Sequence, residues 1–550
     1  MSNNTTVFDA TTQSSMECPD RLILPVKGTE DEVNHSLKIL LMFFVIAICF
    51  LEIYLLLRSR FHYIPESFLV VVTGAAVGGS FAVIYGHLPG DFEKKEAFDP
   101  TTFFLFLLPP IIYESAYNLH KGNFFKNIGS ILIFALVGTA VSAFVIGGSL
   151  FLLGKKGYVY ELSFTEGFAF GAFLSAVDPV ATLAVFHALE VEPVLNMLVI
   201  GESVLNDAVA VVLSSTVWEA SKNTDVMDYT ISYTILVCAL RFALVFLASA
   251  SVGVVFGLMA ALLFKHVALR RYPSLEFGMM LIFIYVPFCV ADVLNLSGIL
   301  TILFNGIVMS HYTHFNLSRF VQHTMQVTLR SVAFISETCV FAYLGLSIFS
   351  FQITLDIAFI SVTLVLCLAA RAVNIFPLCI CVNFFRTHKI TPKMMFIMWF
   401  SAIRGAVCFA LSLRFEFEEK KRNVIITTTL VIVLFTTIVF GGSTMPLLKC
   451  LQKRESRTKK DEDCHSEICL IKTEKLGETI DAEQVTGVEG LYTIGPQSLF
   501  LKLDAKYLQP FFTRQKNSHQ GSECGSRLSQ DFDQEWYNSA QPCPCFEESQ

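Results

Sequence analysis

Between residues 37 and 450 the chain is a near-continuous succession of apolar runs, most of them about the length of a bilayer crossing. A spanning helix needs about 20 mostly apolar residues, because the hydrocarbon core is about 30 Å thick. Thirteen such runs fall at 37–57, 66–86, 103–119, 128–153, 165–187, 193–216, 232–264, 273–292, 297–311, 327–350, 354–382, 393–413 and 423–449. The ninth is short and the eleventh long, so a count of twelve stays open. Composition agrees: 53% of the 550 residues are hydrophobic and 16% are charged, where a soluble protein carries about 25% charge. The reading is an all-α protein crossing the membrane many times. A polar segment, residues 1–36, precedes the membrane body, residues 37–450. A charged tail, residues 451–550, follows it and is expected to be largely disordered and regulatory.

The first 36 residues hold no apolar core of signal-peptide type, so the first run is expected to be an uncleaved anchor. Lys449, Lys453, Arg454, Arg457, Lys459 and Lys460 follow the last run directly. By the positive-inside rule they place the C-terminus in the cytosol and, with thirteen spans, the N-terminus outside or in a lumen. The cluster also fits contact with anionic lipid heads, but a topology determinant is the simpler reading. The sequons at Asn3 and Asn4 then face a glycosylating compartment. The one at Asn34 lies too near the membrane, and that at Asn316–Leu317–Ser318 faces the cytosol and is expected to stay bare. Net charge is −7, which gives no reason to expect nucleic-acid binding. The fifteen cysteines show no metal-ligand spacing and no disulfide framework.

A charged residue at the centre of a spanning helix costs about 2.5–3.5 kcal/mol on insertion scales, so those retained mark function. The set here is Glu114, Asp178, Glu202, Asp207, Arg241, Glu337, Arg371 and Arg404. Two runs are broken by a charge beside Pro or Gly: Ser175–Ala176–Val177–Asp178–Pro179 in the fifth, and Ser401–Ala402–Ile403–Arg404–Gly405–Ala406 in the twelfth. With the seventh run as linker, they occupy the fifth position of two six-helix halves, the second inverted. Paired broken helices in inverted repeats point to an ion site at the membrane midplane.

The sixth run carries the densest polar group, Gly201–Glu202–Ser203–Val204–Leu205–Asn206–Asp207. At i,i+4 spacing Ser203 and Asp207 share a helix face, as do Glu202 and Asn206. Ser203 and Asp207 could offer oxygens to a hard cation such as Na⁺. Carbonyls freed at the Asp178–Pro179 break could add more. A proton competes for any carboxylate shielded from water, so one group at position 207 could hold either ion in turn. Asp178 fits two roles, ion ligand and N-cap of a half-helix with Pro179 at its first position. Arg404 fits a structural role, satisfying freed carbonyls and carboxylates. Glu202, Glu337 and Arg371 are candidates for internal ion pairs. Glu114 is expected near the interface, and Arg241 is expected to snorkel.

In these residues the chain resembles the eukaryotic Na⁺/H⁺ exchanger family of the cation/proton antiporter superfamily. The stretches that carry the resemblance are Leu108–Pro109–Pro110–Ile111–Ile112 with Glu114–Ser115, Ala176–Val177–Asp178–Pro179–Val180–Ala181, Gly201–Glu202–Ser203 with Leu205–Asn206–Asp207, and Ile403–Arg404–Gly405–Ala406. Finer stretches, such as His120–Lys121–Gly122–Asn123–Phe124–Phe125 and Leu503–Asp504–Ala505–Lys506–Tyr507, are similar to its Golgi-type branch.

The resemblance implies electroneutral exchange of Na⁺ (with K⁺ as the other candidate ion) for H⁺. It implies Asp207 as the ion-binding carboxylate helped by Ser203, Asn206 and Asp178, a Glu202–Arg371 pair, and Arg404 stabilising crossed broken helices. It also implies a homodimer whose core moves against a dimerisation scaffold like an elevator, in Golgi or endosomal membranes or at the cell surface. No cofactor is implied beyond the transported ions. Cys408–Phe409 depart from the Pro and Tyr of the family pattern, which leaves the local geometry and ion preference open. Three rivals remain. An intramembrane aspartyl protease would need a Gly-x-Gly-Asp setting that is missing here. A pH-gated cation channel and a transport-inactive scaffold are distinguished from an exchanger by flux.

Overall fold

The computed structural model describes residues 30–59, 66–84, 103–119, 121–178, 193–222, 231–350, 354–384, 389–400, 403–415, 417–443 and 504–513. Pro179, Asn3 and Asn4 lie outside them. All thirteen apolar runs carry helix: α1 (Glu30–Ser59), α2 (Glu66–Ile84), α3 (Leu108–Tyr117), α4 (Lys121–Leu132) continuing into α5 (Thr139–Lys155), α6 (Phe164–Leu174), α7 (Pro193–Lys222), α8 (Ile231–His266), α9 (Pro273–Val293), α10 (Gly298–Val308), α11 (Arg319–Ser350), α12 (Ile357–Asn383), the pair α13 (Pro392–Phe400) and α14 (Ala406–Arg414), and α15 (Glu419–Thr436). Eight helices are long and apolar enough to cross a membrane on their own, and no strand occurs among the described residues. The short ninth run gains length because α10 passes into a π turn, Met309–Thr313, and a 3-10 turn, His314–Asn316.

Burial ranks the helices. In the apolar window of α7, 83% of residues are buried, against 22% in those of α1 and α8. Thus α7 is the central helix, while α1 and α8 turn apolar surface, such as Leu240, Leu244 and Leu247, outward to lipid. With no hydrophobic drive between helices in lipid, close packing depends on small residues. Gly74 on α2 and Gly345 on α11 lie so near the partner backbone that an added Cβ would collide with the carbonyl oxygens of Ala342 and Val71. A π turn, Ile133–Gly138, joins α4 to α5, and the side-chain amide of Asn374 on α12 occupies the space a Cβ at Gly138 would need.

Ten residues of the tail, 504–513, are part of the fold. Asp504–Leu508 form a π turn that runs into the helical turn Gln509–Phe512, docked against α8 and the end of α10. Asp504 and Phe512 are buried there. The sequon residue Asn316 is also fully buried, and its Nδ2 donates to the carbonyls of Ala261 (3.0 Å) and Phe512 (2.8 Å). The nitrogen a glycan would need is therefore already committed to the fold.

Candidate ion-binding site

The site is built on two interrupted helices that meet. Helix α6 starts at a capping box, in which Ser163 Oγ accepts from Glu166 N–H (3.2 Å) and Glu166 Oε2 accepts from Ser163 N–H (2.8 Å). It stops at Leu174, and from Ala176 the chain is no longer helical. The second break lies between α13 and α14. The two strands of broken backbone join directly, because Asp178 N–H donates to the carbonyl of Ile403 at 2.9 Å.

A helix that ends inside a membrane leaves carbonyls that no water can satisfy. Here side chains take them. Arg404 Nη1 donates to the carbonyls of Ser175 (2.8 Å) and Ala176 (3.1 Å). Asn206 Nδ2 donates to Ser175 O at 3.0 Å, and Asn206 Oδ1 accepts from Thr139 Oγ1 at 2.7 Å. The Arg404 N–H is bonded in turn to Thr436 Oγ1 of α15 (3.2 Å). The amide of Asn206 is thus bound to the backbone of the break. Thr139, which fixes its orientation, carries no sequence signal that would have marked it.

Beside the crossing is a cavity of about 60 Å³ lined by Asp178, Asp207, Glu337, Ser115, Val204 and Gly405, with apolar residues around them. A cavity holds a water once it offers about 10–15 Å³ to a water-sized probe, so this one has room for a cation with some of its water. Asp207 lies among the charges of Asp178 and Arg404 and is approached by the backbone N–H of Val177. Among the described residues no group of three or more His, Cys, Asp or Glu is close enough to hold a metal ion jointly.

The remaining charged and polar residues occupy separate places. Ser203 is buried and is not among the lining residues; Val204 takes that place beside Asp207. Glu202 and Arg371 form a buried pair, Nη1 to Oε1 and Nη2 to Oε2 (3.2 Å), and Arg371 Nη2 also reaches the carbonyl of Met398 (3.3 Å). Glu337, a candidate for such a pair, belongs to the cavity and has no ion pair among the described residues. Arg241 does not reach out alone, because it pairs with Glu219 of α7. Glu114 accepts from Asn118 Nδ2 at 2.9 Å.

Residues 41–450 match the sequence profile described as sodium/hydrogen exchanger, transmembrane. The chain belongs to the sodium/hydrogen exchanger family. It is 49% identical to "Sodium/hydrogen exchanger 8" of Gallus gallus over 530 residues, covering 94% of this chain and 92% of that protein. Identity to the Homo sapiens protein of the same name is also 49%, over 535 residues, with 94% and 91% covered. The fold is similar to that of the sodium proton antiporter MjNhaP1 from Methanocaldococcus jannaschii (TM-score 0.55, 15% identity, 76% of this chain and 99% of that one).

The geometry accounts for the exchanger's departure at Cys408. Gly405 is the N-cap of α14, so Cys408 is its third residue. A Pro at that place would lack only an N–H that has no partner within the helix. Cys therefore fits the same backbone, and its Sγ lies 3.4 Å from Ala176 O.

Gly405 itself is demanding for another reason. A Cβ there would sit 2.8 Å from Asp178 Cβ and 3.0 Å from Oδ2. Its backbone is extended (φ −106°), so close approach alone requires glycine. Gly405→Ala is expected to push Asp178 out of place and slow ion exchange about tenfold, which is about 1.4 kcal/mol, while the protein still purifies as a folded species. Flux equal to wild type would show that the Asp178 carboxylate does not need its present position.

Proposed function

We propose that the chain exchanges Na⁺ for H⁺ one for one, with Asp207 as the carboxylate the two ions occupy in turn. The observation that carries this reading is the cavity shared by Asp207 and Asp178 at the crossing of two broken helices. Arg404 and Asn206 already satisfy the freed carbonyls of Ser175 and Ala176. The Asp207 carboxylate is one acidic group against which a hard cation and a proton can compete. Asp178 completes the site as a second carboxylate, and Ser203 and Asn206 support it from α7. Binding either ion and then exposing the cavity to the other side is sufficient for counterflow. Motion of the crossed-helix core against the remaining helices, in a homodimer, supplies that alternation. Golgi or endosomal membranes are the proposed setting, by the resemblance of this chain's finer stretches to the family's Golgi-type branch, with K⁺ as a second cargo, Asn3 and Asn4 as glycan sites and cytosolic regulators acting on the tail.

The test is proton flux driven by a Na⁺ gradient, with K⁺ in parallel, in proteoliposomes whose membrane potential is clamped. One-for-one exchange predicts an initial rate that does not change with potential. A channel predicts a rate that follows the potential, and absence of flux with both ions would leave the scaffold reading.

A further inference from the structure

The ends of α8 and α10 form a receptor for ten residues of the chain's own tail. Asp504 is 1% exposed. Its Oδ1 accepts from Tyr312 OH (2.5 Å), and its Oδ2 bonds His311 Nε2 (2.8 Å) and is reached by Gln509 Nε2 (3.5 Å). At the other end of the segment Phe512 packs on Tyr312 with ring centroids 5.5 Å apart, over Ala261, Leu258 and Val308. Lys265 Nζ donates to the carbonyls of Pro510 (2.9 Å) and Phe511 (2.8 Å), and Asn316 takes that of Phe512. The last carbonyls of the docked turn are capped by side chains of the membrane domain, and both anchors are buried. None of these residues lines the ion cavity.

Burial pushes the Asp504 carboxyl up, but the hydrogen bond and charge of His311, with bonds from Tyr312 and Gln509, hold it below the usual carboxylate range. A depressed carboxyl stabilises the docked state above the ordinary value of about 4 and loses that effect only as pH falls through the depressed one. On the part of Asp504, docking is therefore complete at neutral pH.

His311 connects the docked segment to the transport helices. Its ring faces Phe125 of α4 at 5.2 Å. Helix α4 packs against α7, where the Ile131 side chain lies directly over Gly201, on the same helix as Asp207. We propose that Asp504–Thr513 is a reversible intramolecular clasp that restrains ion exchange by fixing His311 against Phe125. Docked, it holds α4, and α7 with it, in the position seen here. Because the segment is tethered, its effective concentration is of millimolar order, so modest intrinsic affinity gives a clasp that both closes and opens. The restraint rests on the exchange reading, whereas the docking does not.

The test measures deuterium exchange and Na⁺-driven proton flux on the full chain in proteoliposomes, for wild type and for Asp504→Asn, Phe512→Ala and Phe125→Ala. Wild type is expected to protect the amides of 505–509 and 511–513. Asp504→Asn and Phe512→Ala should lose that protection and run several-fold faster. Phe125→Ala should keep the protection and also run faster. Unprotected amides across that segment in wild type, or release of the segment with flux unchanged or reduced, would overturn the clasp. Protected amides in a wild type without flux would overturn the exchange reading, and the restraint with it, and leave only the docking.

Discussion

Asp207→Asn is expected to reduce Na⁺-driven proton flux at least 100-fold, to the level of protein-free vesicles. The amide keeps the shape of the side chain and its place in the cavity beside Asp178, so packing is preserved. It removes the two properties that exchange requires. It takes up no proton at working pH, and it offers a cation a neutral oxygen where a charge stood. A 100-fold loss corresponds to about 2.7 kcal/mol, modest for the deletion of the charge proposed to hold both ions in turn. Thermal stability should not fall, since a carboxylate shielded from water costs more to bury than an amide. The measurement is initial flux against Na⁺ concentration, beside a melting curve of the purified protein. Asp178→Asn should leave measurable flux at higher Na⁺, because that residue supplies a second charge to the same cavity. Wild-type flux in Asp207→Asn would transfer the carrier role to Asp178 or Glu337, the other carboxylates lining it.

The parts of this site that could be read in the sequence are those with a large local cost. A charge beside Pro or Gly in an apolar run has few uses. Such a charge marked Arg404, whose guanidinium donates to the carbonyls of Ser175 and Ala176. Helical spacing was a blunter guide. Ser203 and Asp207 share a face at i,i+4, yet the cavity takes Val204 and Asp207, three apart, because it lies on the side of Asp207 away from Ser203. The family likeness gives Asn206 a part in the ion site, and its amide is bonded to Ser175 and Thr139, contacts that only the tertiary fold reveals. The Glu202–Arg371 pair joins residues 169 apart in sequence; their charges marked both as candidates for pairing, and only the family likeness named them as partners. The docked tail was hidden by averaging: a polar, charged composition over a hundred residues says nothing about ten that bury one carboxylate and one Phe.

The Glu202–Arg371 pair should behave as a unit whose halves are costly only when separated. Both side chains are nearly inaccessible, at 1% and 2% exposure, and they meet through two N–H to O contacts. Arg371→Met alone leaves a buried carboxylate facing apolar neighbours, and removal of one partner from such a pair costs about 3–5 kcal/mol. The double variant Glu202→Met/Arg371→Met removes both charges and should recover most of that loss, since an apolar pair of similar volume is often as stable as the ion pair it replaces. Recovery should be incomplete, because Arg371 also donates to the carbonyl of Met398 on α13, near the second break. The loss of such a bond costs about 0.5–1.5 kcal/mol. Melting of wild type, both single variants and the double variant in detergent gives the coupling energy directly. Flux then separates the two effects. If Met398 needs its donor to keep the second broken helix in register, the double variant regains stability but stays slow. Recovery of flux together with stability would limit the pair to holding α7 against α12. A single Arg371→Met variant that melts like wild type would show that the buried pair does not hold the two helices together at all.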